Sequence, residues 1–572
     1  DCFGRTAGFT SKEQGRSTWI CRSYIFCSMN RLAPRLLYFF IIIILATRKT
    51  CAFSQLSSRH SNDKNHNMPP VPAPLEDRHR TKPTRFIHFA TTALTVPIIS
   101  VTVLPLSLVY QVGRRALKPL LGSGGKQEEI SIDSGYQVDP SQIIPHADRS
   151  YDVVILGATG FTGYLAARYL AETYGTAKDV KWALAGRSQD KLDQVKQRLA
   201  TELKNDDLLK IPTILVDTSV PATLPALVAQ TRSVATAAGP YTLYGSHVVE
   251  FCAKFGTHYV DITGEVDWVK AMVMKWQETA QTTGAKLISF CGHDSIPWDL
   301  CVMKLQQELR EQCGDDLKTV TFWDEMKNAA PGGTYATAVN ALDDKSNIKA
   351  PRGAFDPFLR LPDGTKSKHI AKVQNPTFIS PSQSPWDAGK QRWTAPFVMA
   401  GVNGQVVRWS HALRQDGNPS LTYREMEVHH DFRGAFVNFF GLFTFGTLLL
   451  NPLTSSIMKR YVLPKVGSGP SMDTMLNKHY LCIYGEGIGA KGNTAECTMY
   501  FPRNVGCLDT SRMLVESALC LVKDESKVPQ KGGGFWTPAT GMGQPLLDRI
   551  VKTGTHFSTR VVKKEEMAKS KL

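Results

Sequence analysis

The chain has 572 residues, of which 42% are hydrophobic and 21% are charged, so its length and composition predict roughly two to four globular domains. The formal net charge is +16, and bases outnumber acids most clearly in residues 1–150 and in the tail 552–572. No arginine-rich arm, zinc knuckle or RNA-binding motif occurs, which argues against a nucleic-acid partner. The cysteines show neither a Cys-x-x-Cys pair nor metal-ligand spacing to histidine, so no metal site is expected.

Residues 1–85 have the composition of a targeting leader. Arg31 and Arg35 precede the apolar run Leu36–Leu45, and small residues follow it at Thr50–Ala52. This order is typical of a secretory signal peptide, and the Ser-, Asn- and Arg-rich stretch beyond it is typical of a transit peptide. The combination resembles the two-part plastid address of algae with secondary plastids. We therefore expect a membrane-associated organelle, with a plastid first and the endoplasmic reticulum, a lipid droplet or a mitochondrion as alternatives.

Residues 86–112 form a second apolar stretch, without Asp, Glu, Lys or Arg, that ends beside a pair of arginines. It is long enough to cross a hydrocarbon layer of roughly 30 Å, and Pro97 and Pro105 would only kink it. We predict a transmembrane segment here, with a buried core helix as the alternative. Residues 113–150 contain many Gly, Ser and Pro residues and are predicted to be a linker.

The residues after this linker carry the pattern of a dinucleotide-binding unit. Tyr151–Leu156 is a β-branched run that predicts a buried parallel strand, and Tyr164–Tyr174 has a helical pattern. The three glycines between them permit a sharp turn, a close approach of pyrophosphate and tight helix packing, while the helix N-terminus offers N–H groups to phosphates. The predicted phosphate-binding residues are Gly157, Ala158, Thr159, Gly160, Phe161, Thr162 and Gly163.

Five further strand-like runs alternate with helical patterns across residues 151–305, which predicts a Rossmann doubly wound parallel sheet and an α/β fold. The runs are Lys181–Ala185, Thr213–Val216, Ser233–Ala238, His258–Ile262 and Lys286–Phe290.

The end of the second predicted strand indicates which dinucleotide is bound. Arg187 and Ser188 stand where an NAD-preferring fold usually has Asp or Glu, and Lys191 follows one turn later. A guanidinium can pair with a 2′-phosphate that a carboxylate would repel, so NADP(H) is favoured over NAD(H). An arginine that stacks on adenine without discriminating is the alternative. Further cofactor contacts are predicted at Asp217, Gly239, Pro240 and Tyr241.

Residues 306–551 are predicted to form an α+β domain because five segments have the composition or alternation of strands. These are Thr319–Trp323, Thr334–Ala341, Thr422–His429, Tyr480–Glu486 and Thr494–Phe501. Cys507–Val522 has a helical period, and glycine-rich loops are expected at Gly332–Thr334 and Gly485–Gly492. Residues 552–572 form a basic tail.

An uncharged segment, residues 434–451, lies inside this second domain. It is short for a membrane span, which favours a segment on a membrane or monolayer surface, and a core helix is the alternative. Lys459 and Arg460 follow it and suit a contact with lipid headgroups.

Several motifs, taken together, resemble one family. GATGFTG, AGRS, AAGPYTLYGSHVVEFCAKFGTHYVDITGE and CGHDSIPWDL are similar to saccharopine dehydrogenase-like oxidoreductases, and within them to the membrane-associated branch that includes the mycobacterial trans-acting enoyl reductases. Gly532–Ile550 resembles the end of those proteins. The resemblance implies a Rossmann domain followed by an α+β domain whose sheet can also serve as a homo-oligomer surface.

Candidate catalytic residues are sought where strands end, because the nicotinamide and a proton donor must meet there. His293 and Asp294, with the adjacent Ser295, follow the sixth predicted strand and are the first candidates. Tyr241 is the next, followed by Tyr244 and Glu265. A helix cap formed by Asp294 and Ser295 ahead of Pro297 is the alternative.

The sequence therefore predicts an enzyme: a membrane-associated NADP(H)-dependent oxidoreductase that reduces a lipid-like substrate in lipid or glycolipid metabolism. One alternative is a saccharopine dehydrogenase acting on an amino acid in lysine metabolism. Another is a non-catalytic membrane or lipid-droplet protein that retains the cofactor fold.

Overall fold

The computed structural model describes residues 132–176, 179–293, 295–343, 353–375, 386–387, 390, 392–429, 431–450 and 452–565. All of them belong to one compact unit, Pro69–Leu572. The predicted leader, the segment 86–112, residues 113–131 of the predicted linker, Asp294 and the end of the basic tail lie outside the described residues.

The first sheet is seven-stranded and parallel, with the strand order β14 (Gly534–Trp536), β6, β5, β4, β1, β2 and β3. Six of its strands come from the predicted cofactor domain, where short apolar runs allow burial on both faces. They are β1 (Tyr151–Leu156), β2 (Trp182–Gly186), β3 (Thr213–Leu215), β4 (Thr231–Thr236), β5 (His258–Asp261) and β6 (Lys286–Ile288). This order confirms the predicted doubly wound sheet.

Helices cover both faces of this sheet, and their apolar sides form two hydrophobic clusters with it. The helices between the strands are α1 (Phe161–Tyr174), α2 (Gln189–Leu203), α3 (Pro225–Val228), α4 (Tyr241–Tyr244), α5 (Ser246–Phe255) and α6 (Val266–Thr283).

The first sheet also uses residues beyond the range 151–305 that the sequence assigns to this domain. Strand β14 (Gly534–Trp536) pairs in parallel with β6 at the sheet edge. Helix α13 (Thr510–Lys523) packs against α1 and against strands β4 and β5. The cofactor domain is therefore completed by two segments near the C-terminal end of the described chain.

The second sheet is mixed and eight-stranded, and it supports the predicted α+β region. Its central strands β7 and β11 pair in parallel, while β12, β13 and β15 continue the sheet in antiparallel order. The strands are β7 (Leu317–Lys327), β8 (Ile370–Val373), β9 (Trp386–Asp387), β10 (Arg392–Ala395), β11 (Ser420–His429), β12 (Tyr480–Gly489), β13 (Thr494–Phe501) and β15 (His556–Val562).

The other helices connect and cover the two sheets. They are α7 (Ile296–Cys313), α8 (Gly332–Asp343), α9 (Ala400–Arg414), α10 (Phe432–Leu450), α11 (Pro452–Ile457), α12 (Met472–Asn477), α14 (Pro538–Gly541) and α15 (Gly543–Lys552). Short 3-10 turns cover Pro140–Gln142, His146–Asp148, Asp206–Lys210, Pro221–Thr223, Gly353–Phe355 and Pro357–Leu359, and π-helical turns cover Met458–Val462 and Val505–Asp509.

Three predictions in the second domain need correction. Thr334–Ala341, predicted as a strand, lies within helix α8, which begins at Gly332, so the predicted loop there is also wrong. Its alternating Thr, Ala and Val residues fit one face of a helix as well as a strand, and tertiary contacts decide between them. The first part of Gly485–Gly492, predicted as a loop, continues strand β12 to Gly489.

Residues 434–450 lie in helix α10. Among the helices that the structure describes, none is both long and apolar enough to cross a membrane.

The described part of the predicted linker, residues 132–150, is docked on the cofactor domain. There the buried carboxylate of Glu250 accepts hydrogen bonds from the backbone N–H and the hydroxyl of Ser134, at 2.9 and 2.6 Å.

Candidate cofactor and substrate site

The glycine turn after β1 has the tight geometry that a dinucleotide site requires. Gly157 has a φ of +84°, which favours glycine, and its carbonyl accepts a hydrogen bond from the N–H of Gly160 at 3.0 Å. A Cβ added at Gly163 would overlap the Gly157 carbonyl, so the first turn of α1 can approach the strand only with glycine at this position.

The N-terminus of α1 is arranged to receive an anion. Gly160 is the N-cap residue, and no side chain caps the helix. A Cβ at Gly160 would meet only the Gly157 carbonyl, at 3.4 Å, so the backbone is open on its other sides. Because the uncapped N–H groups carry a partial positive charge, the residues fit a bound pyrophosphate.

Arg187 and Asp217 lie at the carboxyl ends of β2 and β3, which are neighbours in the sheet. The Arg187 side chain is exposed, and its charge is one of the causes that lower the pKa of Asp217. The larger cause is Ser219, whose hydroxyl and backbone N–H donate to the Asp217 carboxylate at 2.6 and 3.0 Å. Arg187 is thus free to face a 2′-phosphate, while Asp217 mainly organises its own turn.

Ser188 and Lys191, which are predicted cofactor contacts beside Arg187, differ in their surroundings. Ser188 is the N-cap of α2, and its hydroxyl oxygen accepts a hydrogen bond from the backbone N–H of Lys191 at 3.4 Å. The Lys191 side chain is exposed. Arg187 and Lys191 therefore both have exposed side chains at the junction of β2 and α2, where Ser188 caps the helix.

Tyr241 follows β4, on the predicted nicotinamide side of the cofactor cleft. Its hydroxyl is hydrogen-bonded to the backbone. The hydroxyl donates to the Thr236 carbonyl at 2.9 Å, and the ring is 4% exposed. The Glu265 carboxylate accepts hydrogen bonds from the N–H groups of Tyr241 and Thr242, at 2.8 Å each. These contacts give Tyr241 and Glu265 a positioning role for the loop that contains Gly239 and Pro240; Tyr244 is exposed.

Asp261, at the end of β5, is a buried acid that the sequence reasoning missed as a site residue. Burial raises its pKa to about 6, although hydrogen bonds from Thr263, Tyr259 and Ser289 oppose this rise. The Ser289 hydroxyl donates at 2.9 Å and the Tyr259 hydroxyl at 2.8 Å. Asp261 therefore ties the ends of β5 and β6 together beneath the cleft. Its place at a strand end was the available signal.

His293 lies at the boundary between the two sheets. Its backbone N–H donates to the Thr510 hydroxyl at 3.1 Å, and its ring lies 5.4 Å from Trp298 and 6.1 Å from Phe397. Burial lowers the pKa of His293 to about 4, so the imidazole is neutral near pH 7. The catalytic role of His293 stays a prediction. Asp294 lies outside the described residues.

The neighbouring Ser295 is the N-cap residue of α7, as the alternative expected, but its side chain makes no capping hydrogen bond. Its hydroxyl instead donates to Asn403 at 3.2 Å, and the Asn403 amide donates to Glu425 at 2.7 Å. Ser295 thus connects the end of the first sheet with a buried polar network above the second sheet.

That network contains two carboxyl groups hydrogen-bonded to one another, those of Asp324 and Glu425. The Trp298 indole N–H donates to Asp324 at 3.1 Å, and the Tyr423 hydroxyl donates to Glu425 at 2.6 Å. Burial raises the pKa of Glu425 to about 8 and that of Asp324 well above its ordinary value. The pair therefore retains a proton at neutral pH.

A cavity of about 300 Å³ adjoins the loop after β4. It lies between α8 and the segment that follows α11, and the side-chain amide of Asn340 ties α8 to Thr242 at 2.8 Å. The lining residues are Pro240, Gly332, Tyr335, Ala336, Val339, Asn340, Lys459, Leu463, Pro464, Lys465 and Val466. This volume is at the lower end of ligand pockets, and the position beside Pro240 makes it the candidate substrate pocket.

The segment 463–471 joins this cavity to the glycine turn. A Cβ added at Gly469 would overlap the ring of Phe161, which belongs to that turn. At the other wall, the Gly332 N–H donates to the Ser468 carbonyl at 2.9 Å, and a Cβ at Gly332 would overlap the Lys465 carbonyl. The segment thus packs on both the cofactor turn and α8.

The cofactor region and most of the chain match known proteins. Residues 153–288 match the family model of the saccharopine dehydrogenase NADP binding domain. Over 427 residues the chain is 33% identical to "Putative trans-acting enoyl reductase Rv2449c" of Mycobacterium tuberculosis, a match covering 72% of this chain and 98% of that protein. The chain belongs to the saccharopine dehydrogenase-like oxidoreductases. A "Trans-acting enoyl reductase" of Mycobacterium leprae is 31% identical over 426 residues, covering 72% of this chain and 98% of that protein.

As a member of this family, the protein is an oxidoreductase, and its first sheet forms an NADP-binding domain. The apo saccharopine dehydrogenase (L-Glu forming) of Saccharomyces cerevisiae is 13% identical, with a TM-score of 0.36 and coverage of 72% of this chain and 99% of that chain. An amine dehydrogenase from Mycobacterium smegmatis is 13% identical, with a TM-score of 0.30 and coverage of 69% and 97%. The family assignment depends on the sequence matches.

Proposed function

We propose that this family member is an NADPH-dependent reductase that acts on a lipid-like substrate at a membrane surface. The observation that carries the proposal is the apolar cavity beside Pro240, at the end of β4 that faces the predicted nicotinamide position. Bound NADPH would supply a hydride to an electron-poor carbon of the substrate, and a proton taken up from water at the neighbouring carbon would complete the reduction. The relatives named as trans-acting enoyl reductases support a conjugated C=C bond as the group reduced.

The chain's own residues would hold the two reactants. The Gly157–Gly163 turn binds the pyrophosphate through backbone N–H groups, and Arg187 pairs with the 2′-phosphate. Glu265 fixes the loop that positions Pro240 between the cofactor and the cavity. The cavity wall contributes Tyr335, Ala336, Val339, Leu463, Pro464 and Val466, which would contact an apolar chain.

A second candidate function is oxidation or reduction of an amino-acid substrate. Lys459 and Lys465 both line the cavity, and two ammonium groups could pair with substrate carboxylates. This arrangement favours a saccharopine-type substrate more than a neutral lipid. A non-catalytic protein that retains the fold is the third candidate, and it predicts no turnover even where NADPH binds.

The experiment that separates these functions follows NADPH oxidation with trans-2-enoyl thioesters of increasing chain length, and NADP reduction with saccharopine. We expect turnover with the thioesters, and we expect KM to fall as the chain lengthens. Ala336→Trp, which fills the cavity, should raise KM for long chains. The matched control is Ala338→Trp, because Ala338 is on the same helix but is exposed.

Each other result selects another function. Activity with saccharopine alone would favour the amino-acid substrate, and NADPH binding without any turnover would favour a non-catalytic role. Equal effects of the two Ala→Trp variants would remove the cavity from the proposal.

The proposed membrane association also implies a cell compartment and an anchoring segment. The leader predicts a plastid, and residues 86–112 predict an anchor in its membranes. A fluorescent protein fused after residue 112, compared with one fused after residue 85, tests both parts. The longer fusion should be retained in the membrane fraction and the shorter one should be released by carbonate; uniform cytosolic fluorescence would contradict the predicted address.

A further inference from the structure

Residues 457–466, which we call the basic apolar segment, expose large apolar side chains to solvent. Tyr461 and Val466 are each 74% exposed, and Val462 and Ile457 are 47% and 40% exposed. Most exposed apolar residues in proteins are scattered singly, so several within ten residues form an unusual patch. Such a patch indicates a surface that is covered when the protein works.

The charges of this region have one sign. Lys459, Arg460 and Lys465 lie within the basic apolar segment, and the guanidinium of Arg460 lies 5.4 Å from the centre of the Tyr461 ring. No Asp or Glu occurs anywhere between Asp431 and Asp473. Apolar side chains interspersed with bases complement an interface whose interior is apolar and whose headgroups are anionic.

Helix α10, which lies before this segment in the chain, also lacks acids and exposes an apolar side chain. Helix α10 has no charged residue after Arg433, and its Val437 is 57% exposed. Helix α11 joins α10 to the basic apolar segment and packs against α10. The exposed apolar surface and the acid-free stretch therefore belong to consecutive elements of one region.

The basic apolar segment also forms one wall of the substrate cavity. Lys459, Leu463, Pro464, Lys465 and Val466 line the cavity, and Val466 is at the same time largely exposed. A surface that covers this segment would thus lie directly against the rim of the cavity. An apolar substrate could pass between them without crossing water.

We propose that the basic apolar segment is the contact of this protein with an anionic lipid surface, and that it holds the rim of the substrate cavity against that surface. This inference rests on the proposed function, because it names the partner of the same cavity. Tyr461, Val462 and Val466 enter the interfacial layer, and Lys459, Arg460 and Lys465 pair with lipid phosphates.

Because residues 86–112 could anchor the full chain independently, the test must report on the segment itself. Hydrogen–deuterium exchange of the full chain is measured with vesicles of phosphatidylcholine alone and of phosphatidylcholine with phosphatidylglycerol. We expect slower exchange in peptides covering 457–466 with the anionic vesicles, and little change with the neutral ones. Peptides covering Met274, an exposed apolar residue on α6, serve as the internal control.

Two variants separate the apolar and ionic contributions. Tyr461→Ser with Val466→Ser should abolish the protection on the anionic vesicles. Arg460→Glu with Lys465→Glu should weaken the anionic preference by about 25-fold or more, since each of the two bases near such a surface is worth about fivefold in affinity. The matched controls are Leu215→Ser with Met274→Ser, and Lys318→Glu, which change exposed residues elsewhere.

Three outcomes would overturn the proposal. One is unchanged exchange in residues 457–466 on the anionic vesicles. Another is equal loss of protection in the control variants. The third is protection that rises with protein concentration in the absence of lipid, which would identify a second copy as the occupant. NADPH binding is titrated on the same samples, so that the proposed lipid contact and the proposed reductase function can fail separately. If NADPH still binds while the lipid gives no protection, only the lipid contact is contradicted.

Discussion

Gly163, in the first turn of α1, lies so close to the carbonyl of Gly157 that a Cβ at position 163 would overlap it. Gly163→Ala should therefore push α1 away from β1 and abolish NADPH binding, because the helix N-terminus no longer faces the pyrophosphate. NADPH fluorescence titration and thermal unfolding measure the two effects. Gly401→Ala, on α9, is the control because nothing lies within 4 Å of its added Cβ.

The result that would contradict this prediction is ordinary NADPH affinity in Gly163→Ala. It would mean that the turn relaxes without loss of the site, and that the phosphates are held elsewhere.

Arg187 is the residue on which discrimination between the two dinucleotides should depend. Arg187→Gln is expected to weaken NADPH binding about ten- to a hundredfold, the range for losing a hydrogen bond to a charged group, while NADH binding changes little. Parallel titrations with both dinucleotides check this. Arg198→Gln, whose guanidinium lies over the Tyr164 ring, should leave both affinities unchanged. A similar loss for NADH would favour adenine stacking.

His293 should make the protein less stable in acid. Burial lowers its pKa to about 4 from 6.5, so between these values the unfolded chain binds a proton that the native state does not. Its contribution to the free energy of unfolding is complete above pH 6.5 and is lost as the pH falls towards 4, by about 3 kcal/mol in total. His293→Phe should remove this loss.

Urea unfolding from pH 8 to pH 4 measures the effect, with each variant referred to its own stability at pH 8. If the unfolding free energies of His293→Phe and of the unaltered chain fall in parallel with pH, the pKa of His293 is not lowered in the native state.

Glu425 should act in the opposite direction. Burial raises its pKa to about 8, so its stabilising contribution is complete below its ordinary pKa of 4.5 and is lost as the pH rises through 8. Relative to Glu425→Gln, the unaltered chain should lose about 1.4 kcal/mol of unfolding free energy for each pH unit within this window. Glu311→Gln, at an exposed position of α7, is the control. A flat difference between pH 5 and pH 8 would exclude a shared proton.

The cofactor turn could be predicted from the sequence because its determinants are contiguous. An apolar run, three glycines and a helical pattern lie within Tyr151–Tyr174, and each local preference agrees with the others. The sequence also shows that Arg187 stands where an NAD-preferring fold has Asp or Glu. This substitution predicts NADP as the cofactor, in agreement with the family model. Local consistency of this kind is what a single sequence reports best.

The cavity could not be predicted, because its walls come from segments far apart in the chain. Pro240, Ala336 and Val466 meet only through the fold, and α8 was predicted as a strand from alternation that a helix also satisfies. The three-residue strand Gly534–Trp536 is too short for a periodic signal. The sequence shows that His293 follows a strand, but it does not show the burial that lowers the pKa of its imidazole.

The late position of strand β14 has a consequence for synthesis of the protein. A ribosome completes β1 to β6 well before α13 and β14 emerge, so the nascent cofactor domain has an open sheet edge and an apolar face without its helix. This edge and this face stay uncovered until α13 and β14 have emerged. A premature stop codon that removes only Gly534 onward should therefore yield a polypeptide that quality-control proteases degrade, although every phosphate-binding residue is present.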